Sequence, residues 1–348
     1  MIPPDPPDPS DPSDGADGDG SPAIDGAPAP VRPGASTFTI EGRQAPALFV
    51  VGWLATLLGL GAVFVAVLSG SNAASPFLLV GGLIVLTVGL VAAAGSQGLE
   101  RRARAAAAYT GPSPFLVFAA SIPTSLVAVI VIGVPMALAG IAVDGPLGRL
   151  ASVAAQALVY VALIRLLVVD TGALTWAAMG VRRPDRAAVV ELVGGALWAA
   201  PVILVTLPVA AILGTIFPVT PVSPLPPAGE TVGFALNLLA GAIVAPIGEE
   251  LLFRGFATTA WARDLGERRA LVRGALFFAV VHVLTISAGT AQEALGLIVL
   301  GFASRVPVAL ALGWLFLRRG SIWAPIGLHA AFNAILLIIG EAVARPGL

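Results

Sequence analysis

The chain has 348 residues, of which 57% are hydrophobic and 11% are charged, and its mean hydropathy is +0.94. Typical soluble domains carry about 25% charged residues, so the composition excludes a soluble globule and predicts a polytopic membrane protein. The net charge is −1, every basic residue is an arginine, and there is no cysteine. The missing cysteines exclude disulfides, thiol catalysis and cysteine-ligated metal sites.

The N-terminal residues 1–44 differ sharply from the rest of the chain. They are rich in Pro, Asp, Gly and Ser and contain eight of the 20 acidic residues. Such a segment has too little apolar surface to offset the entropy lost on ordering. We predict a disordered tail over 1–44. No basic stretch followed by an apolar run begins at Met1, so we expect no cleaved signal peptide.

Nine apolar segments follow the tail, and most have the roughly 20 residues that a helix needs to cross the hydrocarbon core. The predicted fold is therefore all-α, a polytopic transmembrane helix bundle. Its domains are expected to be N-terminal transmembrane segments over 45–169, a core over 170–340 and a short C-terminal tail over 341–348. The predicted segments are 46–68, 76–95, 114–141, 150–169, 188–215, 232–260, 270–284, 294–316 and 321–340. The seventh is short enough to be re-entrant, although the alternation of the loops favours a crossing.

Arginine clusters occupy every second loop between these segments. Arginines mark the cytoplasmic side of membrane proteins, and four clusters in alternate loops all fall on one side if nine segments cross. The N-terminal tail is then cytoplasmic and the C-terminus lies outside. The clusters are Arg101 to Arg104, Arg182 to Arg186, Arg263 to Arg273, and Arg318 with Arg319.

The sixth segment contains two adjacent carboxylates and a guanidinium, Glu249, Glu250 and Arg254. Ionisable groups inside a membrane span are costly, which makes a functional site the default hypothesis. The only two histidines of the chain, His282 and His329, also lie in apolar segments.

Helix geometry predicts that these groups meet. At about 1.5 Å per residue, Glu249 lies about 21 Å from Arg263, and His282 lies about 13 Å from Arg273. His329 lies about 15 Å from Arg319, with Asn333 one turn deeper. Three helices therefore carry polar groups to a similar depth in the membrane.

The spacings also suggest different roles. Glu250 and Arg254 are four residues apart, the favourable order for an ion pair on one helix face, whereas Glu249 has no such partner and suits a general base. His329 and Asn333 are again four apart and can offer two hydrogen bonds to an oxyanion.

Each of these residues also has a structural explanation that requires no catalysis. A single histidine on an apolar face is usually a core residue whose hydrogen bonds are satisfied. Here several polar residues lie at a similar depth in the membrane, which makes that explanation weaker. Arg165 and Arg305 lie in apolar segments outside these spacings, and we assign them to snorkelling or helix pairing. Two other functions remain open: a transporter that uses the buried charges and a non-catalytic scaffold or immunity factor.

The order EExxxR, FxxxH and HxxxN in successive helices resembles the CPBP family of intramembrane proteases, which includes type II CAAX prenyl endopeptidases and bacteriocin-processing or immunity relatives. Two further stretches are similar to the family, Trp176 through Pro184 and Leu317 through Asn333. The resemblance covers about 170–340.

The resemblance implies an endopeptidase in which Glu249 and His282 activate water while His329 and Asn333 hold the oxyanion. Supporting roles fall to Glu250, Arg254 and Phe278, the residue four before His282. No cofactor is favoured. Zinc is a possible alternative, and its ligands would be Glu249, His282 and His329.

The expected substrate is a membrane-associated peptide or protein, and the other expected partner is the lipid bilayer. We expect no nucleic-acid partner, and the oligomeric state is open. The all-arginine, Ala- and Gly-rich composition suggests an integral protein of a bacterial plasma membrane.

Overall fold

A computed structural model describes residues 40, 42–69, 72–104, 108–217, 219, 225–284, 286 and 288–345. The predicted tail falls almost entirely on residues 1–39 and 41, which lie outside this set. The regular structure of the described residues is helical throughout, without a strand, which confirms the predicted all-α bundle.

Twelve α-helices and three π-helical segments make up the described part of the chain. The α-helices are α1 Pro46–Leu68, α2 Ser75–Ala103, α3 Pro114–Leu138, α4 Pro146–Ile164, α5 Arg186–Leu197, α6 Ala199–Ile216, α7 Thr231–Leu238, α8 Ala245–Glu250, α9 Thr259–Leu265, α10 Glu267–Val281, α11 Ala291–Arg319 and α12 Trp323–Ala344. The π-helical segments are Arg165–Val169 after α4, Leu239–Val244 between α7 and α8, and Leu251–Thr258 between α8 and α9. Several helices begin with a proline in the first turn, where no intrahelical hydrogen bond is lost.

Eight helical stretches among the described residues are long and apolar enough to cross a membrane, one fewer than the nine segments predicted. The predicted sixth segment is the stretch Thr231–Leu265, which runs from α7 through α9. The predicted seventh is α10, whose 15 residues span about 22 Å, less than the hydrocarbon core of about 30 Å. Helix α10 alone is therefore too short to cross that core.

The arginine-bearing loops lie together at one end of the bundle, called the arginine end below. Arg101 Nη1 lies 3.6 Å from Oδ2 of Asp264, in the last turn of α9. Arg182 Nη2 donates to the carbonyl oxygen of Gly320, after α11, at 3.1 Å. Loops that the sequence assigned to the same side are thus in direct contact.

The opposite end is closed by Glu341 in α12. Its carboxylate accepts hydrogen bonds from the backbone N–H groups of Ala228 and Gly229 at 2.8 and 2.9 Å. Arg345 Nη2 lies 2.7 Å from the same carboxylate. These contacts tie the loop before α7 to the end of the last helix.

Helix α12 packs closely on α5 because two glycines lie at the crossing. A Cβ at Gly195 would overlap the carbonyl oxygen of Ala324, and a Cβ at Gly327 would overlap that of Leu192. Such small residues let membrane helices approach backbone to backbone. The contact fixes the position of the N-terminal half of α12, which carries His329.

An aromatic cluster fixes α10. The ring of Phe277 packs on the rings of Phe115, Phe118, Phe253 and Trp261 with centroids 5.0 to 5.6 Å apart, mostly edge to face. Edge-to-face pairs are a favourable arrangement of aromatic quadrupoles. Because Phe277 is anchored on this side, its neighbour Phe278 faces another direction, toward both histidines.

Candidate active site

The two glutamates lie at the end of the short helix α8, between two π-helical segments. A π-helical turn widens the helix by one residue and is frequent at functional sites. On the side of α4 the helix is packed tightly, since a Cβ at Gly248 would lie 2.8 Å from the Cβ of Ala157. The carboxylates are thus held on a helix that is locally irregular but closely supported.

Glu250 accepts two charged or polar donors at one oxygen. Its Oε1 lies 3.0 Å from Arg254 Nη1 and 2.8 Å from His329 Nδ1. All three side chains are buried, with Glu250 0% and Arg254 2% exposed. Arg254 Nη2 also donates to the carbonyl oxygen of Ala309 at 3.4 Å. The ion pair expected from the sequence is present, and the contact with His329 is an addition that spacing along one helix could not reveal.

His282 follows directly after α10 and caps it. Its Nδ1 lies 2.7 Å from the carbonyl oxygen of Phe278. Since a carbonyl oxygen only accepts, Nδ1 must carry the proton, and the Nε2 of the neutral ring then has a free lone pair. The same reasoning applies to His329, whose Nδ1 donates to Glu250.

Glu249 lies between the two imidazoles. Its Oε2 is 3.4 Å from His282 Nε2 and 3.8 Å from His329 Nε2. Both distances exceed that of a good hydrogen bond, and Oε2 is buried without a hydrogen-bond partner among the described residues. Glu249 Oε2 and the Nε2 atoms of the two neutral imidazoles are thus three hydrogen-bond acceptors close to one another. They can be satisfied by the protons of a water molecule, or by a second proton on one of the rings.

Phe278 forms a wall shared by the polar groups. Its ring centroid lies 4.2 Å from that of His282 and 5.7 Å from that of His329. The Cζ of Arg254 lies 4.3 Å from the same ring, within cation–π range. The phenylalanine that the sequence indicated as a supporting residue thus contacts three of the polar groups.

Asn333 lies one turn after His329 but makes a different contact from the one expected. Its Nδ2 donates to the carbonyl oxygen of Gly241 at 2.8 Å, in the π-helical segment before α8. One N–H of the Asn333 carboxamide therefore links α12 to the π-helical segment Leu239–Val244 of the sixth span. A carboxamide nitrogen has a second N–H, which is available to another acceptor.

The two arginines outside the motifs differ in their surroundings. Arg165 is exposed and its Nε lies 3.7 Å from Asp170 Oδ2, an ion pair near the arginine end. Arg305 is partly buried in α11, donates from Nη1 to the carbonyl oxygen of Gly301 at 2.9 Å, and interacts electrostatically with Glu249. Sequence reasoning treated the two alike. The signal that separates them is depth, because Arg305 precedes Arg319 by as many residues as Glu249 precedes Arg263.

The residue types around Glu249 fit zinc. Zinc takes imidazole nitrogens and carboxylate oxygens, and each histidine donates its other ring N–H to an oxygen, as metal-bound histidines do. The spacing does not fit as it stands. Among the described residues, no group of three or more His, Cys, Asp or Glu side chains is arranged to hold a metal ion.

Comparison with known proteins gives a family match for part of the chain. Residues 231–335 match the model of the family described as Rce1-like, type II CAAX prenyl endopeptidase Rce1-like. The match is narrower than the predicted core of 170–340 but contains all three motifs. No curated protein and no solved structure gives a significant match. This match over residues 231–335 confirms the resemblance to the CPBP family of intramembrane proteases that the motifs indicated.

Proposed function

We propose that this protein is an intramembrane endopeptidase that hydrolyses a peptide bond in a membrane-associated protein or peptide. The observation that supports this best is the position of Glu249 Oε2, which lies 3.4 Å from His282 Nε2 and 3.8 Å from His329 Nε2. A family of endopeptidases matches the same segment.

In the proposed reaction, Glu249 and His282 activate the attacking water. Glu249 Oε2 and His282 Nε2 are both acceptors when His282 is neutral, because its Nδ1 proton is held by Phe278. A water between them donates one proton to each, which leaves an oxygen lone pair directed at a substrate carbonyl. As the bond to the carbonyl carbon forms, one water proton passes to Glu249, the role of a general base.

His329 and Asn333 are proposed to stabilise the oxyanion of the tetrahedral intermediate. To donate from Nε2, His329 must carry a proton on that atom in addition to the Nδ1 proton that it donates to Glu250. Asn333 offers the N–H that Gly241 does not use. Removing one such donor typically lowers kcat about 10²- to 10³-fold.

The reaction is completed when the proton returns to the leaving nitrogen. The tetrahedral intermediate collapses, the carbon–nitrogen bond breaks, and the proton held by Glu249 moves to the departing amine. Glu249 is then again a carboxylate, and the products are a carboxylic acid and an amine. Only protein groups and water take part in this sequence.

The decisive experiment compares Glu249→Gln with the unmodified protein. Glutamine keeps the shape of the side chain but is no base, so we expect new membrane-protein termini to be lost and cleavage to fall about 10²- to 10⁴-fold. Thermal unfolding in detergent should change little. The readout is mass spectrometry of new peptide termini in membranes of a strain that lacks the gene and is complemented with each variant.

A matched control is Glu293→Gln, which alters an exposed carboxylate in the first turn of α11 and should leave cleavage intact. Equal sets of termini with and without Glu249 would refute the proposal. A cellular phenotype that survives the change would favour a scaffold, and loss of solute flux without any cleavage would favour a transporter.

Metal dependence is tested on the purified protein in the same assay. We expect EDTA to leave cleavage unchanged and metal content to be well below one ion per chain. Stoichiometric zinc whose removal abolishes cleavage would instead assign Glu249, His282 and His329 as its ligands.

A further inference from the structure

Arg305 lies at the same depth as the proposed general base. It precedes Arg319, at the arginine end of α11, by 14 residues, and Glu249 precedes Arg263 by the same number. Both side chains therefore begin about 21 Å below the arginine end. A guanidinium near the middle of a membrane is costly and marks a function by default.

The guanidinium of Arg305 lies beside the chain that follows His282. A Cβ built on Gly301 would be 3.2 Å from Arg305 Nη1 and also 3.2 Å from Val283 Cγ1. On α11 itself, Arg305 is one turn from Ala309, whose carbonyl oxygen contacts Arg254. Arg305 thus belongs to the helix face that borders the proposed active site, and it interacts electrostatically with Glu249.

Arg305 differs in its partners from Arg254 and Arg165. Arg254 is paired with Glu250 and Arg165 with Asp170. Among the described residues, no carboxylate lies within 4.0 Å of Arg305, and its hydrogen bond goes to the carbonyl oxygen of Gly301. A guanidinium has five N–H donors in a planar fork, so most of them remain for a ligand.

We infer that Arg305 binds a carboxylate of the substrate next to the scissile peptide bond. The inference rests on the proposed function and adds a specificity-determining residue to it. A guanidinium pairs with a carboxylate through two parallel hydrogen bonds. The carboxylate is either the free C-terminus of the substrate or the side chain of an acidic residue, because both present the same group to the fork.

The test measures binding separately from cleavage. The full-length protein carrying Glu249→Gln is reconstituted in liposomes, and three fluorescent, N-acylated peptides of one sequence are titrated. One ends in a free carboxylate, one in a C-terminal amide, and one in an amide with a single Asp introduced near that end. We expect one of the two carboxylate peptides to bind about ten- to 100-fold more tightly than the neutral amide, the range of a charge-assisted hydrogen bond.

Substitutions at Arg305 assign that preference to the residue. Arg305→Gln should remove the preference, and Arg305→Lys, which keeps the charge but loses the fork, should retain only part of it. The matched control is Arg165→Gln, which removes an exposed arginine of the π-helical segment after α4 and should leave the preference unchanged. If Arg305→Gln does not fold, the lysine variant and the peptide series on the parent protein decide the question.

The outcomes separate this inference from the proposed function. Equal binding of the three peptides, or a preference that survives Arg305→Gln, overturns the role of Arg305. A carboxylate preference that depends on Arg305, in a protein whose unmodified form cleaves no peptide, upholds the binding site and refutes the endopeptidase. Tighter binding of the free-acid peptide identifies a C-terminus as the ligand, and tighter binding of the Asp peptide identifies a side chain.

Discussion

Two positive or polar groups share one buried oxygen in this protein, Oε1 of Glu250. The arrangement compensates the charge of Arg254 and orients the ring of His329 at the same time. Breaking a buried ion pair on one side leaves a charge without compensation, whereas replacing both members by apolar groups is often neutral. Stability and activity should therefore respond differently to single and double changes here.

We predict that Glu250→Gln lowers the free energy of unfolding by about 3–5 kcal/mol, because Arg254 stays buried without an anion. The double variant Glu250→Leu with Arg254→Met should unfold at a clearly higher temperature than the single variant. Both should be inactive, since His329 Nδ1 loses its carboxylate. Thermal unfolding in detergent and the cleavage assay measure the two effects, and a double variant no more stable than the single one would contradict the argument.

Much of this site was predictable because its residues follow helical spacing. The pairing of Glu250 with Arg254 and the convergence of Glu249, His282 and His329 follow from residue intervals and from depth. The bond from His329 to Glu250 connects helices 79 positions apart in sequence, so no local pattern contains it. The contact of Asn333 with Gly241 escaped prediction for the same reason.

At the scale of the helices, the sixth span is interrupted twice by π-helical segments, Leu239–Val244 and Leu251–Thr258. Both segments lie next to the glutamates, and one of them supplies the carbonyl oxygen that holds Asn333. Hydrophobic periodicity locates this span but does not distinguish an α-turn from a π-turn, because both present the same apolar residues. Which turns of this span become π-helical depends on tertiary contacts, and these do not appear in the hydrophobic pattern.

The length of α10 shows a second limit of sequence reasoning. An apolar segment over 270–284 was predicted as a crossing, and the helix instead begins at Glu267 and ends at Val281. Phe277 of this helix is buried and packs on the rings of Phe115 and Trp261. Burial in protein and burial in lipid select the same residue types, so hydropathy alone could not tell the two apart.

The crossing of α5 and α12 supplies a prediction at this scale. Gly195→Ala should destabilise the protein by about 1–3 kcal/mol, the usual range for overpacking, because the new Cβ meets the carbonyl oxygen of Ala324. Cleavage should fall as well, since a displaced α12 moves His329 away from Glu250.

The neighbouring glycine is a matched control for that change. A Cβ at Gly194 has no heavy atom within 4 Å among the atoms considered, and alanine in a helix is favoured over glycine by about 0.5–1 kcal/mol. Gly194→Ala should therefore be neutral or slightly stabilising. Thermal unfolding of the two variants compares them directly, and equal effects would show that the crossing is not tight.

For the whole molecule, the distribution of arginines predicts orientation in the membrane. The arginine loops share one end of the bundle, and we propose that this end faces the cytoplasm. The protein contains no cysteine, so single cysteines can be introduced without altering a native thiol. In a bacterial cell, the orientation can thus be measured by labelling with a reagent that does not cross the membrane.

We expect Ala142→Cys, in the exposed loop between α3 and α4, to be labelled in intact cells. Arg183→Cys, exposed at the arginine end, should be labelled only after the membrane is opened. Leu204→Cys, on the exposed apolar surface of α6, should react poorly in both conditions because it faces lipid. The reverse pattern for the first two positions would invert the proposed orientation.

The hydrogen bond from His282 to the carbonyl oxygen of Phe278 determines which mutations could abolish activity while the protein still folds. The imidazole satisfies a carbonyl group at the end of α10, so a mutation that removes the ring also frays a helix terminus inside the membrane. Glu249 has the opposite character, since one of its oxygens is buried without a partner. Related proteins that have lost activity but still fold should therefore have changed first at the position of Glu249. They should retain the position of His282, because its ring stabilises the end of α10.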